Sequence, residues 1–241
     1  MAHRYFTDAV NGKTAYITGG DAAHLSRVLR IKCGDEVILC DKKGTDYTAR
    51  VCAAEPERIE FEIISKQRNV SEPSVSVTLY VGYPKQDKLE FIIQKAVELG
   101  AERIVPFFSR FCVAAPKKEE AKNIRYNKIA YEAAKQCGRG IIPKVEMPVS
   151  FDEMLQMQSG FDVSLFCYEA QKNNEIPLHS RLQNAKSISV ITGAEGGFSP
   201  QEAEKAEKVS CLIGLGPRIL RCETAPIAAL SAIMVLTGNL Q

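Results

Sequence analysis

From Val75 onward the chain alternates short apolar runs with longer stretches of helical periodicity, and this alternation constrains the fold more than any other feature. The run "VSVTLYV" is apolar at every second position, as in a β-strand. The next segment, "KQDKLEFIIQKAVELGA", carries an apolar helical face that ends at Gly100. That face comprises Leu89, Ile92, Ile93, Ala96 and Val97. Four further runs, "RIVPF", "DVSLFC", "SISVIT" and "CLIGL", predict buried strands, with helices near 120–137, 200–208 and 224–237. This order predicts a parallel α/β sheet.

The first 70 residues follow a different pattern. The runs "TAYIT", "EVILC", "DYTARVCAAE" and "RIEFEIIS" predict short strands at the spacing of a small barrel. One helix is expected in "DAAHLSRVLRIKCGD", capped by Asp21 and ended by Gly34. The polar segment 69–74 contains a proline and has no periodicity, so we place the boundary there. We therefore expect a small β-barrel domain over 1–70 and an α/β domain over 75–241.

Composition excludes several classes of function. No apolar run is long enough to span a bilayer and the amino terminus lacks a signal-peptide pattern, so a cytosolic protein without a membrane partner is expected. The eight cysteines form no CxxC pair and predict reduced thiols. The three histidines are scattered without carboxylates at ligand spacing, so no metal site is expected. With a net charge of only +2, any nucleic-acid surface must come from local clusters.

The turn "GAEGG", residues 193–197, joins the strand "SISVIT" to a helix start. Ser199 and Glu202 form a capping-box pattern around Pro200, so strand, turn and helix are contiguous. A phosphate ligand is disfavoured, because Glu195 would repel it and no lysine or hydroxyl residue accompanies the glycines. S-adenosylmethionine, which carries cations and an adenine but no phosphate, fits such a turn. The alternative that the glycines only permit a tight turn stays open at this point.

A second glycine-containing segment, "LGPRILRCETA", follows the strand "CLIGL" and brings Arg218, Arg221 and Glu223 close together before Thr224, the expected cap of the last helix. Open α/β sheets bind ligands at the carboxyl ends of their strands, where both glycine turns fall. The last helix is apolar around most of its circumference, which is consistent either with core burial or with a dimer interface.

Taken in order, the motifs "HLSRVLR", "GDEV", "KQDKLEFIIQKAVELGAERIVPF", "YEAAKQCGRGIIP", "ITGAEGGFSPQE" and "LGPRILRCETAPIAAL" cover nearly the whole chain. This set resembles the RsmE family, ribosomal small-subunit (16S) RNA uridine-N3 methyltransferases of the SPOUT superfamily. The resemblance implies an amino-terminal PUA-like RNA-binding barrel and a SPOUT domain with a trefoil knot. It also implies S-adenosylmethionine as cofactor, small-subunit ribosomal RNA or the assembled small subunit as partner, and a homodimer.

The resemblance also implies roles for individual residues. Arg221 and Arg4 are the candidate catalytic cations, since arginine beside the base would stabilise the developing imidate. The expected cofactor-binding residues are Tyr168, Glu169, Gly193, Glu195, Gly196, Gly197, Leu215, Gly216, Ile219, Leu220 and Cys222. The expected RNA-binding residues are Arg4, His24, Arg27, Arg30, Lys85 and Arg139, and Lys88 is expected to extend their basic surface.

Two positions depart from the family pattern: Ala194 stands where the family usually has proline, and Cys222 where it usually has threonine. A more flexible first turn is expected to weaken cofactor affinity. Two other functions remain open from sequence: a SPOUT methyltransferase for another RNA site, and a non-catalytic RNA-binding factor in ribosome assembly. A nucleotide-dependent α/β enzyme is disfavoured, because no lysine or hydroxyl residue accompanies the glycine turn.

Overall fold

The computed structural model describes residues 3–112, 119–171 and 176–240. The chain divides into two compact units, Met1–Glu72 with Ala134–Ile142, and Pro73–Ala133 with Pro143–Gln241. The sequence pattern placed all residues after 75 in one domain, whereas the segment Ala134–Ile142 belongs to the first unit. Each unit has its own sheet.

The first unit contains a six-stranded sheet in the order β1-β4-β5-β6-β3-β2. The strands are β1 (Arg4–Phe6), β2 (Val10–Asn11), β3 (Thr14–Thr18), β4 (Glu36–Cys40), β5 (Thr45–Ala54) and β6 (Arg58–Arg68). All neighbours are antiparallel except β1 and β4. The core of this sheet is built from alternate residues, such as Ile59 and Phe61 of β6, which are buried, while Glu60 between them is exposed.

The helix of the first unit differs from the expected one. It consists of a short α-helix, α1 (Gly19–Ala23), followed by one π-helical turn over His24–Val28. Asp21 does not cap it, because Asp21 lies within the first turn and its carboxylate pairs with Lys135 of the same unit at 2.6 Å. The π-turn leaves His24 and Arg27 exposed while Leu25 is fully buried. π-Turns often occur at functional sites.

The second unit contains a seven-stranded sheet in the order β10-β8-β7-β12-β11-β13, with β9 paired to β8. The strands are β7 (Ser76–Gly82), β8 (Arg103–Phe108), β9 (Lys144–Val145), β10 (Val149–Ser150), β11 (Val163–Cys167), β12 (Ser187–Thr192) and β13 (Cys211–Ile213). Its helices are α2 (Lys88–Glu98), α4 (Phe151–Gln156), α5 (Leu178–Leu182), α6 (Pro200–Glu207) and α7 (Thr224–Leu236), with a 3-10 turn at Met157–Gly160. A further helix, α3 (Glu119–Cys137), passes from the second unit into the first. Every strand pair of this sheet is parallel, so the predicted parallel α/β sheet is confirmed.

Local sequence signals explain where the second unit's helices begin and end. All five residues of the predicted apolar face of α2 are buried, and Gly100 after it has a φ of +92°, which suits a glycine stop. At α6 the capping box forms as predicted: Ser199 Oγ accepts from the Glu202 amide, and the Glu202 carboxylate accepts from the Ser199 amide at 2.9 Å. The predicted Thr224 cap is wrong, because Thr224 is already helical and its predecessor makes no side-chain cap.

An aromatic cluster packs at the point where the glycine turn leaves the sheet. Phe198, directly after the turn, lies 4.2 Å from Phe166 of β11 between ring centroids and stacks parallel to Phe107 of β8. All three side chains are buried. Burial of a phenylalanine stabilises a fold by about 2 to 3 kcal/mol, so Phe198 anchors the carboxyl-terminal side of the turn to the core. In the described residues, no helix is both long enough and apolar enough to cross a membrane.

Candidate functional site

A cleft of about 260 Å³ opens at the carboxyl ends of β11 and β12. Two segments form its walls: the glycine turn after β12 and the loop that leads into α7. A smaller cavity of about 80 Å³ continues along residues 214–220 and shares Glu169 and Leu220 with the first. The predicted cofactor residues lining one or both cavities are Tyr168, Glu169, Gly193, Glu195, Gly197, Leu215, Gly216, Ile219, Leu220 and Cys222. Of that predicted set only Gly196 is outside both linings, and it lies instead against Phe111.

Two glycines allow the turn to lie where it does. Gly197 has a φ of +62°, and a Cβ there would lie 2.5 Å from Oε1 of Glu169. A Cβ on Gly82, at the end of β7, would lie 2.4 Å from the amide nitrogen of Ala194. Side chains at these two positions would therefore collide with the turn or with Glu169. The glycines serve the tight packing of the turn as well as the opening of the cleft.

Lys88, the first residue of α2, links the two walls of the cleft. Its Nζ donates to Oε1 of Glu195 at 3.0 Å and lies 3.6 Å from Oε2 of Glu223. The Cys222 thiol completes the cluster, since its Sγ lies 3.7 Å from Lys88 Nζ and donates to Glu223 Oε2 at 3.1 Å. The Glu195 carboxylate also accepts from the backbone amide of Lys85 at 3.1 Å. Glu195 thus joins the glycine turn to the start of α2.

The electrostatics of this cluster favour the charged carboxylates. Partial burial tends to raise the pKa of Glu195, but hydrogen bonds from its own amide, Lys88 and Lys85 outweigh burial and lower it. The hydrogen bond from Cys222 lowers the pKa of Glu223. Burial, together with the neighbouring Glu223, raises the pKa of Cys222 to about 12. One lysine between two carboxylates leaves the cluster with a net negative charge, which suits a cationic ligand and opposes a phosphate.

Arg221 is exposed and lines the larger cavity, on the loop that leads into α7. Among the described residues Arg221 forms no ion pair at contact distance. Glu223 instead contacts Lys88 and Cys222, and Arg221 acts on it only through a longer-range charge interaction that helps to lower the Glu223 pKa. A structural salt bridge to Glu223 therefore does not account for Arg221. An arginine at the edge of a ligand cleft that forms no ion pair with the described residues is available to a substrate.

Arg4 and Arg139 have different surroundings from those expected. Arg4 forms a bidentate pair with Asp46 at 2.6 and 2.9 Å and also donates to the Arg139 carbonyl. Arg139 is 3 % exposed, and its guanidinium binds Glu72 at 2.7 Å. Both guanidinium groups belong to the first unit and are engaged within it. Neither side chain presents the open face that phosphate contact requires.

His24, Arg27, Arg30 and Lys85 are exposed. The first three lie on or directly after the π-turn of the first unit, where Arg30 has a positive φ of 51°. His24 Nδ1 is held by the Tyr5 hydroxyl at 2.9 Å, which orients its ring. Exposed basic side chains concentrated on one segment form the kind of surface that contacts phosphates.

Sequence reasoning did not assign Lys88 to the cleft, because it was grouped with the RNA-binding lysines. Its position at the start of α2, just after the end of β7, was the available signal. Across the described ranges, no group of three or more histidine, cysteine, aspartate or glutamate residues is placed to hold a metal ion.

Comparison with known proteins identifies the chain. Residues 71–234 match the family described as RNA methyltransferase domain, and residues 17–64 match the RNA methyltransferase PUA domain. The chain is 36 % identical over 251 aligned residues to ribosomal RNA small subunit methyltransferase E of Bacillus subtilis, covering 99 % of this chain and 98 % of that protein. The chain belongs to the RsmE family of RNA methyltransferases. The resemblance and the PUA-like first domain are therefore confirmed.

Two other RsmE proteins extend the comparison. The enzyme of Mesomycoplasma hyopneumoniae is 34 % identical, with 95 % of this chain and 97 % of that protein covered. The crystal structure of the RsmE enzyme from Neisseria gonorrhoeae, bound to S-adenosyl methionine, superposes with a TM-score of 0.86 at 30 % identity and covers 98 % of both chains. The likeness thus extends over both domains.

Proposed function

We propose that this protein transfers a methyl group from S-adenosylmethionine to N3 of a uridine in small-subunit ribosomal RNA. The observation that carries the proposal is the cleft between the glycine turn and the loop into α7, in a chain whose N. gonorrhoeae relative is bound to S-adenosyl methionine. The residues present fit this cofactor, because the cleft combines close-approach glycine backbone with carboxylates, and Lys88 in its lining is paired with Glu195 and so is not free for a phosphate. We infer a cytoplasmic location, because the proposed substrate is ribosomal RNA.

The cofactor would supply an electrophilic methyl on a sulfonium. In this reaction N3 of uridine forms the new bond to the methyl carbon, the carbon–sulfur bond breaks, and the N3 proton leaves to solvent or a base. Glu169, against Gly197, is placed to accept from hydroxyl or amino groups at the cleft wall. Arg221 is our catalytic residue, because a cation beside the base carbonyls stabilises negative charge that develops when N3 loses its proton. Arg4 is paired with Asp46, so we assign it a structural role in the first unit instead of a catalytic one.

The test of Arg221 is the variant Arg221→Ala. We expect a fall in kcat of about 100-fold or more, the size seen when a charge-stabilising donor is removed, with an unchanged Kd for S-adenosylmethionine by calorimetry. The substrate is small-subunit particles or free ribosomal RNA with a tritiated methyl donor, and mass spectrometry identifies the product nucleoside. Wild-type turnover in the variant would exclude the role, and a product other than 3-methyluridine would exclude the proposed atom.

RNA binding is proposed for the exposed basic side chains of His24, Arg27 and Arg30 in the first unit and for Lys85 in the second unit. The salt dependence of RNA affinity measures how many phosphates these side chains contact. The double variant Arg27→Ala/Arg30→Ala should lower the slope of log K against log salt by about 1.4 to 1.8, the value for two phosphate contacts. Arg50→Ala is the matched control, since Arg50 is an exposed arginine of the same unit whose guanidinium is paired with Glu36 at 3.0 Å. Equal slopes in both variants would contradict the surface.

A homodimer and the trefoil knot complete the proposal. The end of α7 and the residue stretch after it leave apolar side chains exposed, with Val235 at 55 %, Leu236 at 44 % and Leu240 at 46 %. Such exposed apolar side chains, at the end of a helix whose residues Pro226, Ala229, Leu230, Ile233 and Met234 are buried, support a second copy of the chain as the partner of this surface. Light scattering of the purified protein measures the mass, and a monomer would contradict this part. The knot stays a prediction from the family.

A further inference from the structure

Lys88 is the cation at the start of α2 that contacts both walls of the cleft. Its partners Glu195 and Glu223 lie 107 and 135 residues further along the chain, on separate loops. Among the described residues that line the cleft, no other side chain joins one wall to the other by an ion pair. The side chains of all three are only about a quarter to a third exposed, at 30, 29 and 25 %. Partial burial strengthens charged hydrogen bonds relative to those on an open surface.

Each of the two carboxylates that Lys88 contacts is also held by a further hydrogen bond. Glu195 is held a second time by the Lys85 amide, and Glu223 is held by the Cys222 thiol. Directly beyond Glu223, the amides of Thr224 and Ala225 donate to the Arg221 carbonyl at 2.9 Å and begin α7. A displacement of Glu223 would therefore move the backbone that carries Arg221. This chain of contacts connects one lysine to the geometry of both loops.

We propose that Lys88 is a positioning residue that holds the glycine turn and the loop into α7 at the spacing required by the cofactor. The inference rests on the proposed function, because the cofactor bound in this cleft is taken to be S-adenosylmethionine. Lys88 acts through Glu195 and Glu223 and contacts neither the methyl group nor the base. Ligand affinity is reduced when the binding-competent arrangement of the protein is only partly populated. Loss of the Lys88 contacts to Glu195 and Glu223 therefore reduces the affinity for any ligand that needs this spacing of the two loops.

The experiment compares Lys88→Met, Lys88→Arg and Lys95→Met in the full chain. Lys95 is the matched control, because it is a lysine of the same helix with a similar exposure of 33 %, paired with Glu98 at 2.8 Å. Calorimetry measures the Kd of S-adenosylmethionine and of its product S-adenosylhomocysteine, which lacks the sulfonium charge. We expect Lys88→Met to raise both Kd values by about tenfold, the lower end for the loss of one charge-assisted hydrogen bond, because the pair is partly exposed to solvent. Lys88→Arg should restore most of the affinity, and Lys95→Met should not change it.

Hydrogen exchange in the cofactor-free proteins supplies a readout that is independent of activity. The amides of Gly197, Thr224 and Ala225, which are hydrogen-bonded within the two loops, should exchange faster in Lys88→Met and at the wild-type rate in Lys95→Met. Unchanged exchange and unchanged affinities would overturn the inference. Tighter binding of S-adenosylmethionine with unchanged binding of S-adenosylhomocysteine would overturn it too, because Lys88 would then act as a counter-charge.

Failure of the proposed function gives a different result. If wild-type protein binds neither ligand, the proposed cofactor is wrong, while exchange in the cofactor-free variants still decides whether Lys88 holds the loops. If wild-type protein binds both ligands and Lys88→Met binds them equally well, only the positioning role is wrong.

Discussion

The substitution Gly197→Ala tests why the turn contains glycine at its last position. Gly197 has a φ of +62°, and an alanine in that left-handed conformation costs about 1 to 2 kcal/mol. The new Cβ would also lie 2.5 Å from Oε1 and 3.1 Å from Cδ of Glu169. The Glu169 carboxylate ends a flexible side chain, so it can rotate away at a cost below about 1 kcal/mol. The expected loss of stability is therefore about 1 to 3 kcal/mol, mostly from the backbone.

We expect Gly197→Ala to weaken cofactor affinity by more than the loss of stability alone would explain. Rotation of Glu169 removes a carboxylate from the cleft wall, and a hydrogen bond to a charged group contributes about 1.5 to 3 kcal/mol before screening. Because Glu169 is exposed, we expect the lower end, a rise of about tenfold in the Kd of S-adenosylmethionine. Calorimetry measures the Kd, and hydrogen exchange of the β12 amides measures local stability.

Gly12→Ala is the matched control for this experiment. Gly12 has nearly the same φ, +59°, but no atom lies within 4 Å of its hypothetical Cβ. The strain of an alanine at this positive φ should make the β3 amides exchange faster, and the Kd of the cofactor should not change. Equal Kd values for both variants would refute the role of Glu169. A further check is Glu169→Ala combined with Gly197→Ala, which should bind no more weakly than Glu169→Ala alone.

Three further outcomes follow from the same geometry. Ser199→Ala removes the cap of α6 and should destabilise the second unit by about 1 kcal/mol in urea unfolding; no change would contradict the capping box. Ala194→Pro should lower the Kd of S-adenosylmethionine, because proline restricts the turn 193–197 in the cofactor-free protein and the described residues show no acceptor that the Ala194 amide would lose. An unchanged Kd would contradict the idea that Ala194 weakens cofactor affinity by making this turn more flexible. At pH 8 iodoacetamide should label the exposed Cys33 and Cys52 well before Cys222, whose pKa of about 12 leaves roughly one thiolate in ten thousand; equal rates by mass spectrometry would contradict its burial.

Features that depend on neighbours along the chain could be predicted from the sequence. The apolar face of α2, the Gly100 stop, the capping box at Ser199 and five of the seven parallel strands were predicted correctly, and the two-residue strands β9 and β10 were not predicted. Each depends on hydrogen bonding or burial within a few residues, and periodicity records that information directly. The glycine turn and the loop into α7 were also placed together correctly, because the carboxyl ends of parallel strands share one edge of a sheet.

Which charged groups contact each other depends on the tertiary structure. Lys88 was grouped with an RNA surface, yet it joins Glu195 across 107 residues because β7, which precedes α2, pairs with β12, which precedes the turn. Arg139 was expected on the RNA surface, yet it is buried against Glu72 in the first unit. Periodicity gives the order of elements along the chain but not which strands become neighbours, and a basic residue looks the same in sequence whether it faces solvent or a buried carboxylate.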